Sequence, residues 1–209
     1  LRAVINRLVE TGMTQDMKVK LAEELSDDVL IHVHPSRYLE TINRSEPTIS
    51  TIRLDPDTYM SPGSLRAAKL AAGACVAAVS DILREKTDRA FCAIRPPGHH
   101  AEVAAAMGFC IFNNIALAAE TALAHPDINR VAIVDFDVHH CNGTVDIFKD
   151  RPEVLVCSSF QENYYPYRYL DFSNEHIVNS PLPKGTEGKS FRAANERDWL
   201  AALDDYRPD

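Results

Sequence analysis

Two short stretches, RVAIVDF at 130–136 and EVLVCSS at 153–159, are apolar almost without a break, and a short helix-like segment at 143–149 separates them. A strand with one wet face alternates apolar and polar residues. A strand apolar throughout is covered on both faces, which is the condition of a parallel sheet layered between helices. Parallel neighbours also need a crossover, which the intervening helix supplies. The two runs therefore predict a βαβ unit inside an α/β fold. Helical periodicity extends over 1–11, over 35–43 starting at Pro35, and over 61–86, 112–124 and 190–206. RAFCAI at 89–94 reads as a further short strand. The stretch 161–189, with Pro166, Pro181, Pro183, Gly185 and Gly188, reads as loop.

Composition narrows the function classes. At 209 residues the chain can bury one substantial core, and 45% hydrophobic with 25% charged residues is ordinary for a folded domain. A net charge of -8 argues against a surface built for phosphate backbones, so no direct nucleic-acid partner is expected. The longest apolar run, at 70–83, is interrupted by Ser80 and Asp81 and is too short to span a bilayer, so no membrane partner is expected either. The five cysteines are odd in number and never spaced as CxxC, which fits neither a disulfide framework nor a thiolate zinc finger. A reducing compartment follows, and the expected location is cytoplasmic. The chain opens directly in a helical pattern, so a preceding segment is expected.

In a parallel sheet, ligands sit at the carboxyl ends of the strands. Three such ends carry the polar chemistry here: RPPGHH after 89–94, DFDVHHCNGT after 130–136, and SSFQENYYPY after 153–159. In extended chain Asp135, Asp137 and His139 share one face while Phe136, Val138 and His140 share the other. Asp137 and His139 can then close on one cation, and a mixed nitrogen and oxygen donor set favours zinc over magnesium or calcium. Metal-assisted hydrolysis needs a base for water and an acid for the leaving group, and His99 and His100 can divide that work near neutral pH. The RPPG turn before them is stiff, and Gly98 admits close backbone approach.

RPPGHHAE with MGFCIFNN, followed by VDFDVHHCNGT, resembles the zinc-dependent histone deacetylase family. FQENYYPY and VNSPLPKGTEG are similar to its prokaryotic branch of deacetylase-like, acetylpolyamine and acetoin-utilisation members. The resemblance runs along the whole chain. It implies a three-layer αβα fold with a mainly parallel sheet, of the arginase-deacetylase type. It also implies hydrolysis of an acetyl amide on lysine or a polyamine by metal-activated water. Asp137 and His139 would be two of three zinc ligands, and His99 and His100 the tandem catalytic pair. Asp135 would bond His99 and, with Ser158 and the main-chain oxygens of Asp137 and His139, hold a monovalent cation such as K+. Asn142 stands where the partner of the second histidine is placed. A carboxylate beside His99 favours its charged form and neutral Asn142 does not favour that of His100, which assigns His100 as general base and then acid. Gly108 and Phe109 would line an acyl-chain tunnel, with Tyr165 opposite.

Two departures accompany the resemblance. Cys141 occupies a position usually held by glycine, so either the loop accommodates a side chain or a free thiol sits near the metal. The chain ends at Asp209, ahead of the family's third zinc ligand and its carbonyl-polarising Tyr or His. The expected domain is thus 1–209, one deacetylase domain lacking an early N-terminal strand and the C-terminal part of the site. Asp204, Asp205 and Asp209 are not substitutes. The alternatives are a non-catalytic deacetylase-like binding protein, an inactive fragment, or a binuclear manganese ureohydrolase, which His140 disfavours because an acid is expected at that position. Partners would be an acetylated lysine peptide or acetylpolyamine, with a homo-oligomer left open.

Overall fold

A computed structural model describes residues 1–209. In chain order the elements are α1 (Arg2–Glu10), α2 (Asp27–Leu30), α3 (Ser36–Arg44), β1 (Ile52–Asp55), β2 (Thr58–Met60), α4 (Ser64–Leu83), α5 (Asn114–Leu123), β3 (Val131–Asp135), α6 (Asn142–Phe148), β4 (Val154–Gln161), β5 (Ile177–Leu182), α7 (Gly188–Asn195) and α8 (Ala201–Tyr206). Strands β3, β4 and β5 form a parallel sheet in that spatial order, and β1 pairs antiparallel with β2 as a separate hairpin. The βαβ unit read from the two apolar runs is present as β3-α6-β4.

The side-chain alternation of β4 explains why its apolar run is unbroken. Val154 and Val156 point to one face, into a core with Ile133, Leu117, Val145, Phe112 and Phe148. Leu155 and Cys157 point to the other face, against Trp199 with Ala202, Leu203 and Tyr206. Helices therefore cover both faces, and each fully buried aliphatic side chain contributes about 1.5–3 kcal/mol. Between α7 and α8 the chain passes through one π-helical turn, Glu196–Leu200, which turns Trp199 into that second layer.

The structure corrects three expectations. Residues 89–94 form no strand. β3 pairs only with β4, so this segment has no ladder partner; Phe91 is exposed and the Cys92 thiol donates to the Ala74 carbonyl of α4. Strand propensity without a partner strand does not make a strand. Conversely, the stretch 161–189 contains β5, hidden by Pro181. That proline is tolerated because β5 is the edge strand and proline lacks only the ladder donor. Pro35 caps α3 rather than starting it.

No helix is long and apolar enough to cross a membrane. All five cysteines are unpaired thiols. Cys141 is wholly buried in the main core, and burial holds its thiol well above the ordinary value, so it packs as a small apolar residue.

Candidate functional site

The site is built where the chain leaves β3 and meets the loop 98–113. β3 stops at Asp135, so the shared face expected of an extended 135–139 gives way to two tight turns. The Asp137 N–H donates to Asp135 Oδ1 at 3.1 Å, and the His139 N–H donates to Asp137 Oδ1 at 2.8 Å. Short Asp side chains compete with the ladder for backbone donors in this way. The turns still bring Asp137 Oδ1 and His139 Nδ1 to 2.9 Å, while Asp135 turns instead to His99.

The two adjacent histidines have chemically different partners. His99 Nδ1 lies 2.9 Å from Asp135 Oδ2, and His100 Nδ1 lies 2.7 Å from Asn142 Oδ1. Their rings are 4.0 Å apart. Burial opposes a charge on His99, but the hydrogen bond and charge of Asp135, aided by Asp137, outweigh it and raise its pKa. Burial, then the neighbouring His99, pushes His100 down to about 4 against the bond from Asn142.

Close backbone packing fixes this arrangement. The N–H groups of Gly143 and Thr144 at the start of α6 donate to the His99 carbonyl at 3.0 and 3.2 Å. A β-carbon on Gly143 would stand 2.3 Å from the Ala101 carbonyl oxygen, so only glycine lets α6 come this near. Gly108 has φ +57 and packs on the His100 ring, 2.2 Å from where a β-carbon would be. The β1-β2 hairpin holds the next turn: Gly108 N–H donates to Asp57 Oδ1, and Phe109 N–H donates to Thr58 Oγ1.

Of the three proposed lining residues, Gly108 and Tyr165 meet at the histidines, the Tyr165 ring standing edge-on 5.1 Å from His100. Phe109 is 63% exposed at the rim. Sequence reasoning missed Tyr164, which stacks on His139 at 5.4 Å; its place next to Tyr165 is the only signal that pointed there. His140 turns into the core, with Nε2 3.0 Å from Asn179 of β5 and its ring against Phe160. An open concavity of about 470 Å³ beside the site is lined by Val134, Asp135, Phe136, Asp137 and Val138.

The donor set can be tested against the metals the motifs suggest. Asp137 and His139 supply one oxygen and one nitrogen at a common point, which suits zinc in kind. No third His, Cys, Asp or Glu joins them. Ser158 sits opposite Asp135 in the β3-β4 ladder, and its Oγ is buried without a hydrogen-bond partner. An orphaned hydroxyl oxygen beside a carboxylate suits a hard monovalent cation. Asp209 lies elsewhere, its carboxylate accepting from the N–H groups of Asn129 and Arg130 ahead of β3.

The site is thus an α/β domain's strand-end cluster of paired imidazoles, one anchored to an acid and one to an amide, beside a hydrogen-bonded Asp-His pair. The histone deacetylase domain pattern matches residues 1–209, and the chain belongs to the histone deacetylase family. It is 37% identical over 205 residues to the histone deacetylase-like amidohydrolase of Pseudomonas aeruginosa, covering 95% of this chain and 54% of that protein. It is 34% identical over 175 residues to the polyamine deacetylase HDAC10 of Rattus norvegicus, covering 80% of this chain and 30% of the relative. The crystal structure of the HDA15 HD domain superposes with a TM-score of 0.92 at 34% identity, covering 99% of this chain and 63% of the other. The chain spans about half the length of several curated relatives it matches.

Proposed function

We propose that this chain carries the proton-transfer half of a zinc-dependent deacetylase centre, acting on the acetyl amide of an acetylated amine such as acetyl-lysine or an acetylpolyamine. The observation that carries the reading is the unlike pairing of the two histidines, carboxylate on His99 and amide on His100, beside the Asp137-His139 pair. Asp137 and His139 would hold the ion; when bound, zinc supplies Lewis acidity toward water and the amide carbonyl. His100 donates through Nδ1 to Asn142, so its Nε2 carries the lone pair that takes a proton from water and returns it to the leaving amine. His99, paired with Asp135, presents a positive group toward charge that develops on the carbonyl oxygen. Tyr165 and Gly108 close around the His100 ring and shield it from bulk solvent. Asp135 and Ser158 would hold K+ behind His99, which orients that carboxylate.

The two-donor metal site favours a second reading for the 209 residues alone, retention of an acetylated ligand without turnover. Zinc content of the dialysed protein and of Asp137→Ala separates the two. About one zinc per chain, lost in the variant, supports the catalytic centre. A folded chain without zinc supports the binding reading. Acetyl-lysine and acetylpolyamine turnover by His99→Ala and His100→Ala then checks the division of labour: His100→Ala abolishes it more completely. Retention by His100→Ala of the turnover that His99→Ala loses would overturn the assignment.

A further inference from the structure

We propose that Glu102 is a positioning residue that fixes the tautomer of His100 through the Asn142 amide, and that Arg168 holds Glu102 in place. Glu102 lies two residues after His100, and its side chain is only 9% exposed. Its Oε1 accepts from Asn142 Nδ2 at 2.9 Å, and its Oε2 accepts from Arg168 Nη1 at 2.7 Å. A carboxylate paired with a guanidinium can only accept, so the NH2 end of Asn142 has to face it. The second amide hydrogen is directed at Met107 Sδ, 3.2 Å away. Asn142 is fully buried, and no orientation of its amide other than this one satisfies Glu102.

The consequence passes to His100. With its nitrogen committed, Asn142 presents Oδ1 to His100 Nδ1 at 2.7 Å. A carbonyl oxygen cannot donate, so Nδ1 bears the hydrogen of the neutral ring and Nε2 is left as the basic nitrogen. An aspartate in place of Asn142 would accept at either oxygen and need no such help. An asparagine has two unlike ends, and a flip would give His100 the opposite tautomer. Glu102 removes that ambiguity.

Arg168 connects this relay to the front of the site. It belongs to the same segment as Tyr164 and Tyr165, whose rings lie against His139 and His100. The Arg168-Glu102 pair therefore ties the aromatic segment to the support behind the histidines. Arg168 itself is 52% exposed, so it can leave while Glu102 cannot follow it into water.

The consequence for turnover rests on the deacetylase reading, whereas the tautomer does not. The test therefore begins with ring-nitrogen NMR shifts of His100 in the 15N-histidine-labelled 209-residue protein. The unaltered protein shows Nδ1–H, and Glu102→Ala shifts toward Nε2–H or a mixture. Glu102→Leu gives the same reading as the alanine variant should that one fail to fold. Where turnover is measurable, Glu102→Ala lowers kcat about 10- to 100-fold with little change in KM, the range expected for a supporting hydrogen-bond partner. In an Asn142→Asp background the same substitution costs little. Unaltered Nδ1–H in folded Glu102→Ala, or an equal loss of kcat in both backgrounds, overturns the proposal. A shifted tautomer in a chain with no zinc and no turnover supports it and counts against the catalytic reading only.

Discussion

Lowering the pH destabilises this fold through His34 by an amount that the structure allows to be worked out. His34 is fully buried against Tyr38 and Phe112. Its Nε2 accepts from the Asn113 N–H at 2.9 Å, and its Nδ1 donates to the Val103 carbonyl at 3.0 Å. An amide N–H cannot accept, so a proton on Nε2 breaks that bond and leaves two donors facing each other in the core. Burial accordingly pushes the His34 pKa from 6.5 to about 4, against the raising effect of the Val103 and Glu102 carbonyls. Because the unfolded chain takes the proton more readily, His34 contributes its full stability above about pH 6.5. That contribution is lost as the pH falls toward 4. A shift of roughly 2.5 units is worth about 3 kcal/mol, of which about 2.5 kcal/mol has gone by about pH 4.5.

His100 and His140 are also buried and pushed down to about 4, so the whole protein loses more than this. His34→Gln isolates one share, because an amide side chain can accept from Asn113 and donate to Val103 at any pH. Urea unfolding of both proteins at about pH 7.5 and about pH 4.5 is the assay. The variant starts about 1–2 kcal/mol less stable through lost aromatic packing, and its fall with pH is smaller by about 2.5 kcal/mol. Equal falls in the two proteins would refute the reasoning. The stake is functional, since Val103 and Asn113 are the two ends of the loop that presses Gly108 on His100.

Other substitutions probe the remaining parts. Gly108→Ala puts a β-carbon into the His100 ring at a positive φ; it lowers the melting temperature by an amount equivalent to about 2–3 kcal/mol and abolishes any turnover. Ser158→Ala leaves stability in potassium-free buffer unchanged within about 0.5 kcal/mol, because no hydrogen bond is lost; if Asp135 and Ser158 hold K+ as proposed, potassium raises the melting temperature of the unaltered protein and the variant blunts that rise. Trp199→Ala strips the second layer from Leu155 and Cys157 and costs about 3–5 kcal/mol in urea unfolding.

The parts of this fold legible in the sequence are those whose signal is local. Unbroken apolar runs gave β3 and β4, periodicity gave α4 and α5, and unusual pairs of titratable residues marked the site. β5 was illegible because Pro181 argues against a strand everywhere except at an edge, and edge position is a property of the finished sheet. Residues 89–94 failed for the converse reason, since a strand-like composition found no neighbour to pair with. The hairpin support for Gly108 could have been suspected from LDPDTYM, where Pro56 and Asp57 mark a turn. Glu102 and Arg168 are 66 residues apart, and no local pattern joins them.

The four histidines at 99, 100, 139 and 140 show how the partner of one ring nitrogen decides what the other can do. His99, His100 and His139 are each anchored through Nδ1, to Asp135, Asn142 and Asp137. No protein hydrogen bond engages Nε2 in any of the three, so each ring has one nitrogen without a protein partner. His140 is the reverse case: Nε2 is anchored to Asn179, Nδ1 is left unpaired in the core, and the ring packs on Phe160. HH after β3 yields one site histidine and one core histidine because the turns at 135–139 hold His139 on Asp137, while His140 bonds Asn179 and packs on Phe160. HH after Gly98 differs because α6 holds the His99 carbonyl and Gly108 packs on the His100 ring, and both of its imidazoles reach the site.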